Sequence, residues 1–68
     1  MQVTAVLNPA KEGGFVALNP ETGTVSQGDT IEDAVANLRE AVELYLEEFP
    51  MTFHGAAVIT SFDVAVHA

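Results

Sequence analysis

Two serines, two histidines and ten carboxylates are the side chains here that could do chemistry, and their spacing argues against it. Nucleophilic catalysis needs an activated Ser, Cys, Thr or Lys beside a base. The chain has no cysteine, and Ser26 and Ser61 sit in strand-like runs without the Gly-x-Ser-x-Gly turn that presents a hydroxyl. A metal site needs convergent His, Asp or Glu. His54 falls in a loop and His67 near the C-terminal edge, with no second histidine at helical spacing. Asp63 and His67 share a strand face but stand about 13 Å apart at ~3.3 Å per residue, too far for one coordination sphere. Gly13-Gly14 is not a phosphate loop, because neither Gly-x-Gly-x-x-Gly nor Gly-Lys-Ser/Thr is present. The expectation is no catalytic residue, no metal ligand and no cofactor. This is not an enzyme on its residues.

The charges point elsewhere. Ten Asp and Glu stand against Lys11 and Arg39, a net charge of −8. Phosphate contacts require Lys and Arg that displace counterions, so no nucleic acid is expected as a direct partner. Anionic membrane surfaces are excluded for the same reason. An acidic surface suits a basic protein. Six of the ten acids lie between Glu32 and Glu48, so the bias belongs to one element.

That element is a helix. In the stretch from Ser26 to Phe49, Gly28 supplies a turn, and Asp29 or Thr30 offers a capping oxygen at capping-box spacing from Glu32 and Asp33. Ile31, Ala34, Val35, Leu38, Ala41, Val42, Tyr45, Leu46 and Phe49 then recur at helical spacing, with acids on the other side. Pro50 ends the run. Leu44 falls between the two faces and fits either an exposed leucine or an interface position.

Before the helix, alternation over Gln2 to Leu7 predicts a strand with Val3, Ala5 and Leu7 on one face. Asn8 to Gly14 and Asn19 to Gly23 are dense in turn formers, and Phe15 to Leu18 and Thr24 to Gln27 are the strands they bound. After the helix, Ala56 to Ala65 returns to period two, predicting a fourth strand. The order β-β-β-α-β makes an α+β two-layer sandwich, an antiparallel sheet with one long helix across one face. Residues 1–68 form a single domain with no apolar run long enough to span a membrane, no signal-peptide core and an expected cytoplasmic location.

A chain of 68 residues builds little core, yet 49% of its residues are hydrophobic. With no disulfide or zinc framework, oligomerisation is the remaining device, and at least a homodimer is expected. A second copy is the expected cover for the far sheet face, where Thr4, Val6, Val16, Leu18 and Ile59 are placed.

GGFVAL, a turn with Pro and Gly, then VSQGDTIEDAVANLREAVELYLEE, resembles the HicB-type antitoxins. The residues carrying the resemblance are Gly13, Gly14, Phe15, Val16 and Ala17; Pro20 and Gly23; Gly28, Asp29 and Thr30; and Glu32, Ala34, Leu38, Ala41 and Tyr45. They span about residues 1–49. The resemblance implies a partial ribonuclease-H-like fold without nuclease activity, assembled as a dimer or tetramer. It also implies a role in binding and neutralising a small basic mRNA-cleaving toxin. Two features depart from the family: Thr24 stands where a cysteine is usual, and the C-terminal DNA-binding segment is not seen, so operator binding is not implied. The residues expected to meet a partner are Glu40, Glu43, Leu44 and Glu47. The alternative is an orphan oligomeric domain of the same fold, with a structural or regulatory protein-binding role.

Overall fold

Two glycine-bearing turns fold the first third of the chain back on itself twice. The computed structural model describes residues 1–66. In the first turn Gly13 and Gly14 take φ of 104° and 74°, and the Ala10 amide donates to the Gly14 carbonyl at 2.9 Å. In the second Gly23 takes φ of 80°, and its amide donates to the Asn19 carbonyl at 2.8 Å. These turns join β1 (Val6–Pro9), β2 (Phe15–Asn19) and β3 (Thr24–Gly28) into an antiparallel sheet of order β1-β2-β3. The register sets Val6 opposite Leu18, and Ala17 opposite Ser26. Helix α1 (Ile31–Glu48) follows and packs on one face of that sheet. The expected α+β two-layer arrangement is what the chain adopts.

Of the two capping candidates, Thr30 is the cap. Its side chain accepts the Asp33 amide at 3.0 Å, while its backbone stays extended. Phe49 closes the other end, donating its amide to the Tyr45 carbonyl at 2.8 Å just before Pro50. The seam between helix and sheet is narrow. Ala17, Ala34, Leu38 and Val42 are buried, with Val3, Ala5, Leu7, Phe15 and Leu46 packed around them. The expected stripe is wider than the one buried: Ile31 and Phe49 at the helix ends are 47% and 58% exposed. Phe49 instead leans on Tyr45, ring centroids 5.0 Å apart.

Two strand expectations change. The first ladder runs from Val6 to Pro9 instead of beginning at Gln2. Opposite Thr4 the second strand is already turning, and side chains replace the ladder: Asn19 Nδ2 donates to the Thr4 carbonyl, and the Thr4 amide donates to Glu21 Oε1, both at 2.8 Å. Residues 56–65, expected as a fourth strand, form no ladder among the described residues. Period two records which side chains share a face, but a strand exists only with a neighbour to bond.

Gly28 sets how closely helix and sheet approach. A Cβ there would fall against the Ala34 amide and 2.8 Å from the Asp33 Cβ. The Asn37 side chain secures the same join, donating to the Gln27 carbonyl at 2.8 Å. Gly28→Ala is expected to lower stability by about 1–3 kcal/mol through overpacking. Thr30→Ala is expected to cost about 1 kcal/mol through loss of the cap. Denaturant midpoints of the two variants check both, and an unchanged midpoint for Gly28→Ala would contradict the close approach.

Candidate functional site: an acidic helix face above a polar turn

Helical spacing alone brings the expected partner-binding residues together. Glu40, Glu43 and Glu47 are exposed on α1 and, with Leu44 and Leu46, outline a shallow surface depression of about 610 Å³. Leu44 is 56% exposed among these carboxylates. Glu43 and Glu47 are four residues apart, where like charges repel by a few tenths of a kcal/mol. The last helical turn has no basic residue, so Glu47 and Glu48 add their charge to the negative end of the helix dipole. The result is a negative surface with one apolar side chain at its middle.

The motif residues serve the fold. Gly14 and Gly23 have the positive φ their turns require, and Gly14 lies against the Gly28 carbonyl, where a Cβ would come within 2.6 Å. Phe15 packs on the core, Pro20 is exposed in the second turn, and Asp29 is exposed beside the Thr30 cap. Thr24 donates its amide to the Thr22 hydroxyl at 3.2 Å.

His54 is exposed in a bend, and Ser61 and Asp63 are exposed on the C-terminal segment, while Ser26 is half-buried in β3. His67 lies outside the described residues. Among the described residues no group of three His, Cys, Asp or Glu could hold a metal ion. No helix among them is long and apolar enough to cross a membrane.

Two residues that sequence reasoning passed over organise the turn. Asn19 is fully buried and fully bonded. Its Nδ2 donates to the Thr4 carbonyl and Glu21 Oε1, and its Oδ1 accepts the Thr22 amide at 2.9 Å and the Thr22 hydroxyl at 2.6 Å. Glu21 joins three segments: Oε1 takes the Thr4 amide, and Oε2 takes the Thr4 hydroxyl at 2.8 Å and the Ala57 amide at 2.7 Å. The run Asn-Pro-Glu-Thr-Gly carried a signal for Asn19, since an Asx turn bonds the backbone two or three residues on. Glu21 had none, because Ala57 is 36 positions away.

A UPF0150 protein of Synechocystis sp. (strain ATCC 27184 / PCC 6803 / Kazusa) is 42% identical to this chain over 48 residues, covering 69% of this chain and 67% of the relative. The chain belongs to the UPF0150 family. A second UPF0150 protein of that organism is 47% identical over 45 residues, 65% of this chain and 57% of its own length. One from Helicobacter pylori (strain J99 / ATCC 700824) is 41% identical over 46 residues, 68% of this chain and 64% of its own length. This chain therefore spans between about half and two thirds of the length of these UPF0150 relatives. No protein-family model matches it, and no solved structure matches it.

The amides of Ala57 and Thr4 and the Thr4 hydroxyl, all donating to it, hold the Glu21 carboxyl down, from 4.5 to about 2. A depressed carboxyl stabilises the fold fully above its unfolded value and loses that contribution as pH falls through the folded one. The difference in melting temperature between the wild type and Glu21→Gln is expected to hold at neutral pH and to close between about 4.5 and 2. Thermal unfolding of both proteins across that range checks it. A constant gap would remove the carboxylate from the account.

Proposed function

We propose that this UPF0150 domain is a HicB-like, antitoxin-type protein-binding module of the cytoplasm. Its partner is a small basic ribonuclease toxin, bound on the acidic face of α1 and thereby inhibited. The observation that carries this reading is the grouping of Glu40, Glu43 and Glu47 around exposed Leu44, toward the negative end of the helix. A net charge of −8 supplies long-range attraction for a basic partner. The charges can stand where RNA phosphates would otherwise lie on the toxin, and Leu44 gives an apolar anchor inside them. The HicB-like residue pattern from Gly13 to Tyr45 supports the same assignment. The domain performs no catalysis and contacts no nucleic acid itself.

The test begins with a basic protein recovered with the tagged chain from its native lysate. That protein is expected to cleave RNA alone and to stop when this chain is added. Glu43→Lys with Glu47→Lys is expected to raise the inhibitory concentration by about tenfold at low salt, since two exposed pairs at up to about 1 kcal/mol each are reversed. The gap should narrow between about 0.1 M and 1 M salt, as the screening length falls from roughly 10 to 3 Å. Equal inhibition by wild type and variant at low salt would sink the electrostatic site. Cleavage that continues in the presence of the wild-type chain would sink the antitoxin assignment.

A further inference from the structure

The segment after Ala57 is a feature that the acidic helix face does not account for. Residues 58–66 are all exposed, with Val58 at 92%, Phe62 at 82% and Val66 at 87%. No hydrogen bond joins them to the rest of the described chain. Yet their pattern is that of a half-buried strand: Val58, Thr60, Phe62, Val64 and Val66 alternate with Ile59, Ser61, Asp63 and Ala65. The radius of gyration is 14.0 Å, against about 11 Å for a compact domain of this length. The segment stands off the body.

The body has a place for such a strand. β1 lies at the edge of the sheet, so one side of its backbone has no strand partner among the described residues. Beside the residues that lead into β1, on the helix side, is an open groove of about 410 Å³ with a mostly apolar lining that includes Val3, Ala5, Leu38 and Leu46, and with Arg39 and Glu43 among its polar residues. A strand added to β1 would lay its apolar face over this groove and turn Ser61 and Asp63 away from it.

We infer that residues 58–66 are a strand exchanged between two copies of this chain, each adding its segment to the β1 edge of the other. Within one chain the two backbones meet through a side chain. Glu21 takes both the Thr4 amide and the Ala57 amide, so these two amides are spent on a carboxylate and not on a ladder between their backbones. A second copy brings the same free edge and the same free strand, so a two-fold exchange satisfies both at once. Each Val, Ile or Phe that becomes buried removes on the order of 100 Å² of apolar surface. Four in each copy, Val58, Phe62, Val64 and Val66, with the surfaces they cover, reach roughly the 1,600 Å² of a standard specific interface.

The purified full chain tests this without any toxin, so its outcome is separate from that of the antitoxin assignment. Light scattering and native mass spectrometry at micromolar concentration are expected to show a dimer or an even-numbered assembly. Phe62→Asp with Val64→Asp is expected to give a monomer with unchanged helical circular dichroism, because both residues lie outside the folded body. Hydrogen exchange should find amides 59–66 protected in the wild type and open in the variant. Three results would overturn the inference. A monomer with open amides removes the exchange, and a monomer with protected amides means the segment docks on its own chain. An assembly that survives the double variant assigns the contact to another surface, such as the bare sheet face bearing Val6, Val16 and Leu18.

Discussion

A single narrow seam carries the hydrophobic share of this fold. Ala17 on the sheet meets Ala34, Leu38 and Val42 on the helix, and these four are the buried hydrophobic side chains of the described chain. Two of them are alanines, so the layers sit close and little volume lies between them. Burial of a Leu or Val side chain is worth roughly 1.5–3 kcal/mol, and few are available here. Everything else in the molecule is a response to that small core.

One response is polar. Asn19 has no solvent contact, and its side chain is bonded on every side, so its burial costs little beyond ordering. It fixes the second turn and anchors the start of the first strand where the backbone ladder has stopped. Glu21 extends the same network to Ala57, the point from which the exposed C-terminal segment departs. The other response is close approach: Gly28 lets the first helical turn lie against β3, which brings the alanines of the seam into contact.

What the small core leaves uncovered is where function is to be sought. One helix face is acidic and unbalanced by any basic residue in its last turn. A free strand edge and a groove lie at one side of the sheet, and an apolar segment stands away from the body. The first surface suits a basic partner through charge; the others suit strand addition through backbone bonding and burial. The two surfaces adjoin along α1 and share Glu43 and Leu46.

Local rules determined much of this in advance. The turn formers at Gly13-Gly14 and Gly23, the Thr30 cap, the acid-rich first turn and the Pro50 stop each act within a few residues, and each is where local chemistry puts it. The acidic face was legible for the same reason, since residues three and four apart on a helix are neighbours whatever else the chain does. Tertiary structure decided what depends on distant segments. The buried stripe is narrower than its pattern: Ile31 and Phe49 have helical spacing yet are exposed, since spacing sets a shared face and burial needs a second layer over it. Glu21 binds Ala57 across 36 positions, a contact no local motif encodes. Residues 56–65 show the limit most directly: alternation fixed which side chains share a face, but a strand also needs a neighbour, and only the folded arrangement can supply one.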